Sequence, residues 1–195
     1  MQLSPEKKTK LIEMCKWILA YVCVAILFSY LSLLHPQARI VLPDYQRPRL
    51  AIELSGHIIF GLIASIPLLN FRLISLTGLA CVLIDLDHLT VALGFPVIGN
   101  PDHSIPFAIL SGIVLALVGP RRMRRELFAI GFIVLFAHIS FDVFAGWLSF
   151  QLLLPLNFAV FTLSTYYWLL LEVVAICISL MAAVSVKAKF RGLWD

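Results

Sequence analysis

Hydrophobic residues in this chain come in long runs separated by short polar stretches, rather than at every third or every second position. About 20 apolar residues at 1.5 Å rise each cross a hydrocarbon core of about 30 Å, so such runs predict transmembrane helices. The runs fall near 17–34, 52–69, 73–94, 105–119, 127–148 and 165–186. They predict an all-α integral membrane bundle of about six transmembrane helices, forming one domain over 1–195. The connection over 35–50 carries Pro36, Pro43 and Pro48 and is the longest polar one. The stretch Phe150 to Ser164 is apolar but broken at Pro155, and is expected to lie in the interface or re-enter the membrane. Lys7, Lys8, Lys10 and Lys16 precede the first run, as in a signal peptide. The run from Trp17 to Leu34 outlasts a usual signal core and no A-x-A-like site follows, so a retained first helix is expected.

Composition agrees. Of 195 residues, 61% are hydrophobic and 13% charged, with a mean hydropathy of +0.98. A soluble domain has nearly twice that charged fraction. The net charge of +4 does not indicate a nucleic-acid partner, because the basic residues flank apolar runs. Cys15, Cys23, Cys81 and Cys177 lie in or beside those runs without C-x-x-C pairing, and are expected to be buried small hydrophobes. With six spans and a cytoplasmic N-terminus, twelve of the 15 basic residues fall inside, and only Arg39, Arg47 and Arg49 outside. That bias predicts both termini in the cytoplasm. Arg121, Arg122, Arg124 and Arg125 read as a topology anchor, and Tyr166, Tyr167 and Trp168 as an outer aromatic belt.

The ionisable residues inside the runs carry the chemistry. His57, Asp85, Asp87, His88, His138, Asp142 and Glu172 each cost roughly 2.5–3.5 kcal/mol near mid-membrane on the insertion scale. Counted from the outer helix ends, Asp87, His88 and Asp142 lie roughly 9–10 Å deep, and Asp85 and His138 about 14–15 Å. His57 starts the second run on that side, and Asp102 and His103 sit in an outer loop. Four segments thus deliver His and Asp to one layer. His138 and Asp142 are four apart and Asp85 and His88 three apart, so each pair shares a helix face. Asp87 points away from Asp85 in a regular helix. Imidazole and carboxylate without thiolate suit Zn²⁺, Mn²⁺ or Fe²⁺. An ion or proton pathway and structural hydrogen bonding are the competing readings. Ser104 and Pro106 mark a helix start, and Glu172 reads as a structural acid.

At these residues the chain resembles the YdjM-like family of membrane-bound metal-dependent hydrolases. The matching pieces are Gly56-His57, Asp85-Leu86-Asp87-His88, His103-Ser104 and His138-x-x-x-Asp142 with Gly146 and Pro155, in family order over 56–155. The first helix and the loop to residue 50 are additional. Ile84 stands where the family has proline, and Ile98 to Ser104 reads I-G-N-P-D-H-S against H-R-G-x-T-H-S. The family is distantly similar to zinc-dependent phospholipase C, which favours phosphoester hydrolysis by analogy of fold.

The resemblance implies a prokaryotic plasma membrane and one or two divalent metals, zinc foremost, near its outer face. Their ligands are His57, Asp85, His88, His103, His138 and Asp142, with Asp87 as general base or bridging ligand. The expected substrates are phosphoesters of lipids or lipid-linked carriers. The helix start at Ser104 and the side chains of Arg47 and Arg49 are candidates for holding the phosphate. A metal-dependent amidase or peptidase, a metal or proton transporter and a non-catalytic scaffold are the alternatives. The orientation has a direct check. Cysteines placed at Asp44 and Gly99 react with an impermeant thiol reagent on intact cells, whereas one at Met123 does not; labelling at position 123 from outside reverses the topology.

Overall fold

In the computed structural model the described residues are 4–31, 50–86 and 100–191. Among them six α-helices run α1 (Pro5–Leu31), α2 (Leu50–Ser65), α3 (Phe71–Leu83), α4 (Ile105–Val118), α5 (Arg124–Ala145) and α6 (Tyr167–Arg191). Three segments are long and apolar enough to cross a membrane: Pro5–Tyr30, Arg121–Ala145 and Tyr167–Val184. The apolar helices of α2, α3 and α4 are shorter. The middle long segment is the centre of the bundle, with 72% of its most apolar window buried against 28% and 22% for the outer two.

Local chemistry sets the helix ends. Asn70 caps α3 by accepting the Arg72 N–H at 3.1 Å. Pro67 opens a 3-10 turn over Ile66–Leu68 that closes α2, with Leu69 left-handed at φ 52°. Ser104 caps α4, accepting the Phe107 N–H at 3.3 Å with Pro106 in the first turn, as expected. Gly146 ends α5 at φ 102°, a conformation that favours glycine, and the Trp147 N–H turns back to the Asp142 carbonyl at 2.8 Å.

Several expectations need correction. The third run does not form one helix over 73–94. It stops at Leu83, where the Asp85 N–H bonds the Val82 carbonyl at 3.2 Å, a tighter turn than the α-helical pattern. Asp85 therefore lies beyond the helix, and the argument placing it on a helix face fails. His57 sits two turns inside α2 rather than at its start. The described residues are mostly helical, as expected, with one short departure: Ser149–Phe150 pairs antiparallel with Phe161–Thr162 in register Ser149↔Thr162. This hairpin occupies the irregular stretch around Pro155. Cys15, Cys23 and Cys177 are exposed on the outside of the bundle and only Cys81 is buried. A thiol is apolar enough to face lipid as well as protein.

The helix contacts are close. A Cβ added at Gly131 on α5 meets the Ala108 carbonyl oxygen at 2.2 Å and the Gly112 nitrogen at 2.9 Å on α4. One added at Gly112 meets the Phe128 carbonyl oxygen at 2.5 Å. Small residues at such crossings let helix backbones touch. On α1, Trp17, Tyr21, Val24 and Phe28 form the buried stripe. The Tyr21 and Phe28 rings pack on Phe107 at 5.5 and 5.6 Å. Arg72 ties α3 to α1 by donating to Glu13 at 2.6 Å while lying 5.5 Å over the Trp17 ring. Because the Gly131 obstruction is backbone, Gly131→Ala destabilises the detergent-solubilised protein by about 1–3 kcal/mol. An unchanged melting temperature contradicts that backbone contact.

Candidate metal centre

Five of the expected ligands converge. His57 comes from α2, Asp85 from the turn after α3, and His103 from a 3-10 turn (Pro101–His103) leading into α4. His138 and Asp142 come from one face of α5. All three imidazoles are buried, and Asp142 nearly so. Asp85 is the more open carboxylate, its side chain 23% exposed.

The three Nε2 atoms face the two carboxylates. His57 Nε2 stands 3.5 Å from both Asp85 Oδ2 and Asp142 Oδ1. His138 Nε2 is 3.2 Å from Asp142 Oδ2 and 3.4 Å from Asp85 Oδ1. His103 Nε2 lies 3.3 Å from Asp85 Oδ1 and 3.7 Å from Asp142 Oδ2. The His57 ring stacks on His138, 3.8 Å between centroids and 2° between planes, and His103 meets His138 edge-on at 4.5 Å. Phe141 packs edge-on against His57 at 4.6 Å.

The end of α3 orients His138. A continuing helix would bond the Cys81 carbonyl to the Asp85 N–H, but that N–H turns to Val82 instead. His138 Nδ1 takes the released carbonyl at 2.7 Å. A carbonyl only accepts, so Nδ1 carries the hydrogen and Nε2 presents its lone pair to the cluster. Metal-binding histidines are oriented in the same way. Nε2 of His138 and Nε2 of His103 are 2.8 Å apart, the distance of an N–H···N hydrogen bond, so with Nδ1 of His138 carrying its hydrogen it is His103 Nε2 that donates.

The donor set fits a divalent cation. Ligand atoms of His57, His138 and Asp142 all lie within 4.8 Å of one another, as do those of Asp85, His103 and His138. Two donors each about 2.0–2.1 Å from a tetrahedral zinc stand about 3.3–3.4 Å apart, matching the imidazole–carboxylate separations. The two triads share His138, which places it at the middle of the set.

The remaining expected residues are placed as follows. Ser104 is fully buried with its hydroxyl oxygen engaged as the α4 cap. Asp87, His88, Arg47 and Arg49 lie outside the described residues. Glu172 is buried on α6, and neither carboxylate oxygen has a hydrogen-bond partner among the described residues. The nearby Ser140 hydroxyl donates instead to the Trp168 carbonyl at 2.7 Å. Two contributors were not singled out from the chain. One is the Cys81 carbonyl, which is main chain and carries no residue-type signal. The other is Ser29 on α1, whose hydroxyl lies 3.1 Å from Asp102 Oδ2 and also 2.9 Å from the Ala25 carbonyl. A serine next to the Trp17–Phe28 stripe was the available signal.

No family model, curated protein or solved structure matches the chain.

Ser29 and Asp102 are both fully buried, and Asp102 belongs to the Pro101–His103 turn that carries the ligand His103. Losing a hydrogen bond to a buried carboxylate costs about 1–3 kcal/mol, and disturbing the support of a ligand lowers metal affinity about 10-fold or more. Ser29→Ala should therefore reduce both thermal stability and zinc affinity in a competition titration. Ser55→Ala, which removes only a bond to the Ile52 carbonyl at an exposed position, should change neither.

Proposed function

We propose that this protein is a membrane-embedded, metal-dependent hydrolase acting on phosphoesters of lipids or lipid-linked carriers, with its site near the outer face of a prokaryotic plasma membrane. One observation carries the reading. Three imidazole Nε2 atoms and two carboxylates converge inside an apolar bundle, with the central histidine held by a backbone carbonyl. In this reading His57, Asp85, His103, His138 and Asp142 hold the ion, His88 completes the set, and zinc is the first choice for a site without thiolate. The resemblance to membrane-bound metal-dependent hydrolases supports it.

A divalent ion held by this set would supply a Lewis acid for the scissile phosphoryl group and would make water a competent nucleophile at neutral pH. The chain's own residues do the rest. Asp85 and Asp142 offset the positive charge in a low-dielectric setting, and His138 is kept in the required tautomer by Cys81. Asp87, two residues beyond Asp85, takes the proton of the attacking water on its carboxylate. Arg47 and Arg49 are the candidate cations for the phosphate of the head group, and the α4 start at Ser104 is the candidate helix terminus for it.

A transporter would need polar groups continuing along the bundle. Towards the Arg121–Arg125 end the buried positions of α5 are Leu127, Ala129, Ile130, Gly131, Ile133, Val134, Leu135 and Ala137. Elsewhere in the bundle the buried hydroxyls of Ser65, Thr77, Ser111 and Ser179 each donate to a helix carbonyl. Hydrolysis at a one-sided site accords with that lining.

Metal analysis and turnover test the proposal together. The purified protein should contain a divalent metal and release water-soluble phosphate products from labelled bacterial lipid extract. His138→Ala and Asp142→Ala should lose metal and turnover together. Asp87→Asn should keep most metal and lose about 100- to 10,000-fold in turnover. Metal-replete protein that releases acyl or amide fragments instead would move the reading to an amidase or peptidase. Full activity after complete chelation would end it.

A further inference from the structure

The opposite end of α5 carries a second feature. A surface crevice of about 330 Å³ lies between α4 and α5, lined by Ile113, Ala116, Leu117, Arg124, Arg125 and Phe128. Its apolar walls face outward, with Leu117 67% and Phe128 39% exposed. Ala116 lines it with a single methyl group. Arg124 and Arg125 are exposed at its rim, beside the equally exposed Arg121 and Arg122. None of these four has an acidic partner among the described residues, whereas Arg72 is paired with Glu13. Fourteen residues separate Arg124 from His138, roughly 21 Å along the helix, so the crevice is independent of the His/Asp cluster.

An open apolar surface rimmed by unpaired guanidinium groups has a specific chemical complement. It is an amphiphile with a hydrocarbon chain and an anionic phosphate at the chain's end. Guanidinium binds phosphate through two parallel N–H···O bonds, and basic pockets beside membrane helices recognise acidic head groups. The volume is at the low end of the roughly 300–1,000 Å³ typical of ligand sites, enough for the upper part of one lipid chain rather than a whole lipid. We infer that the α4–α5 crevice binds one anionic phospholipid, its phosphate on Arg124 and Arg125 and its chain along Ile113, Leu117 and Phe128. The lipid belongs to the leaflet on the arginine side and is a bound structural partner, not the substrate of the distant cluster.

Native mass spectrometry and thermal melting of the full-length protein in detergent provide the test, with phosphatidylglycerol, phosphatidylcholine of the same chains and inorganic phosphate as probes. Phosphatidylglycerol should be retained at least 10-fold better than phosphatidylcholine and should raise the melting temperature. The double variant Arg124→Gln/Arg125→Gln should lose that preference, while Lys7→Gln/Lys8→Gln, with the same charge change on α1, should keep it. Ala116→Phe fills the crevice but leaves both arginines, and should also lose phosphatidylglycerol. Equal retention of the two lipids overturns the proposal. So does undiminished phosphatidylglycerol binding by Ala116→Phe, or inorganic phosphate reproducing the whole stabilisation. Should the arginine double variant fail to fold, Ala116→Phe and the comparison of lipids decide the question alone.

Discussion

Carboxylates can be kept inside an apolar bundle only if something nearby answers their charge. Asp85 and Asp142 stand within 3.2–3.7 Å of three imidazole nitrogens. Left unanswered, each aspartate costs roughly 2.5–3.5 kcal/mol on the insertion scale. Much of the architecture follows from meeting that cost. α3 stops just before Asp85 and α4 starts just after His103, so two of the shorter helices end at the cluster. The irregular backbone at these two helix ends is enclosed by the bundle, and its polar groups are met there by the cluster.

The neighbouring helices fix the cluster's dimensions. The backbone contact at Gly112 and Gly131 packs α4 closely on α5, with His138 on α5 and His103 in the turn leading into α4. α1 closes the other side by setting Tyr21 and Phe28 against Phe107 and Ser29 against Asp102. An N-terminal helix that looks like a simple anchor in the chain therefore also supports the turn carrying His103.

How much could be read from the residues varied with how local each feature is. His138 and Asp142 were legible because i, i+4 spacing on a regular helix fixes their common face. Ser104 was legible because a helix cap is decided within four residues. Asp85 was legible as a ligand type but not in its geometry. Whether α3 continues past Leu83 depends on a competition for the Cys81 carbonyl, and the winner, His138, lies 57 positions away. His57 was recognised, but its stacking on His138 depends on how α2 meets α5. The hairpin around Pro155 was missed because two-residue strands leave no alternation to detect.

The contact between His138 and Cys81 also has an asymmetric vulnerability to genetic drift. Its acceptor is a peptide oxygen, and every amino acid that could replace cysteine at position 81 supplies one. No codon change there deletes the acceptor, whereas any change at 138 deletes the donor. The thiol at 81 is constrained by its own bond to the Val134 carbonyl at 3.7 Å and by its buried space, but not by the bond that orients His138. A lineage inheriting this site carries its orienting interaction at a single mutable residue, with the other half written into the backbone.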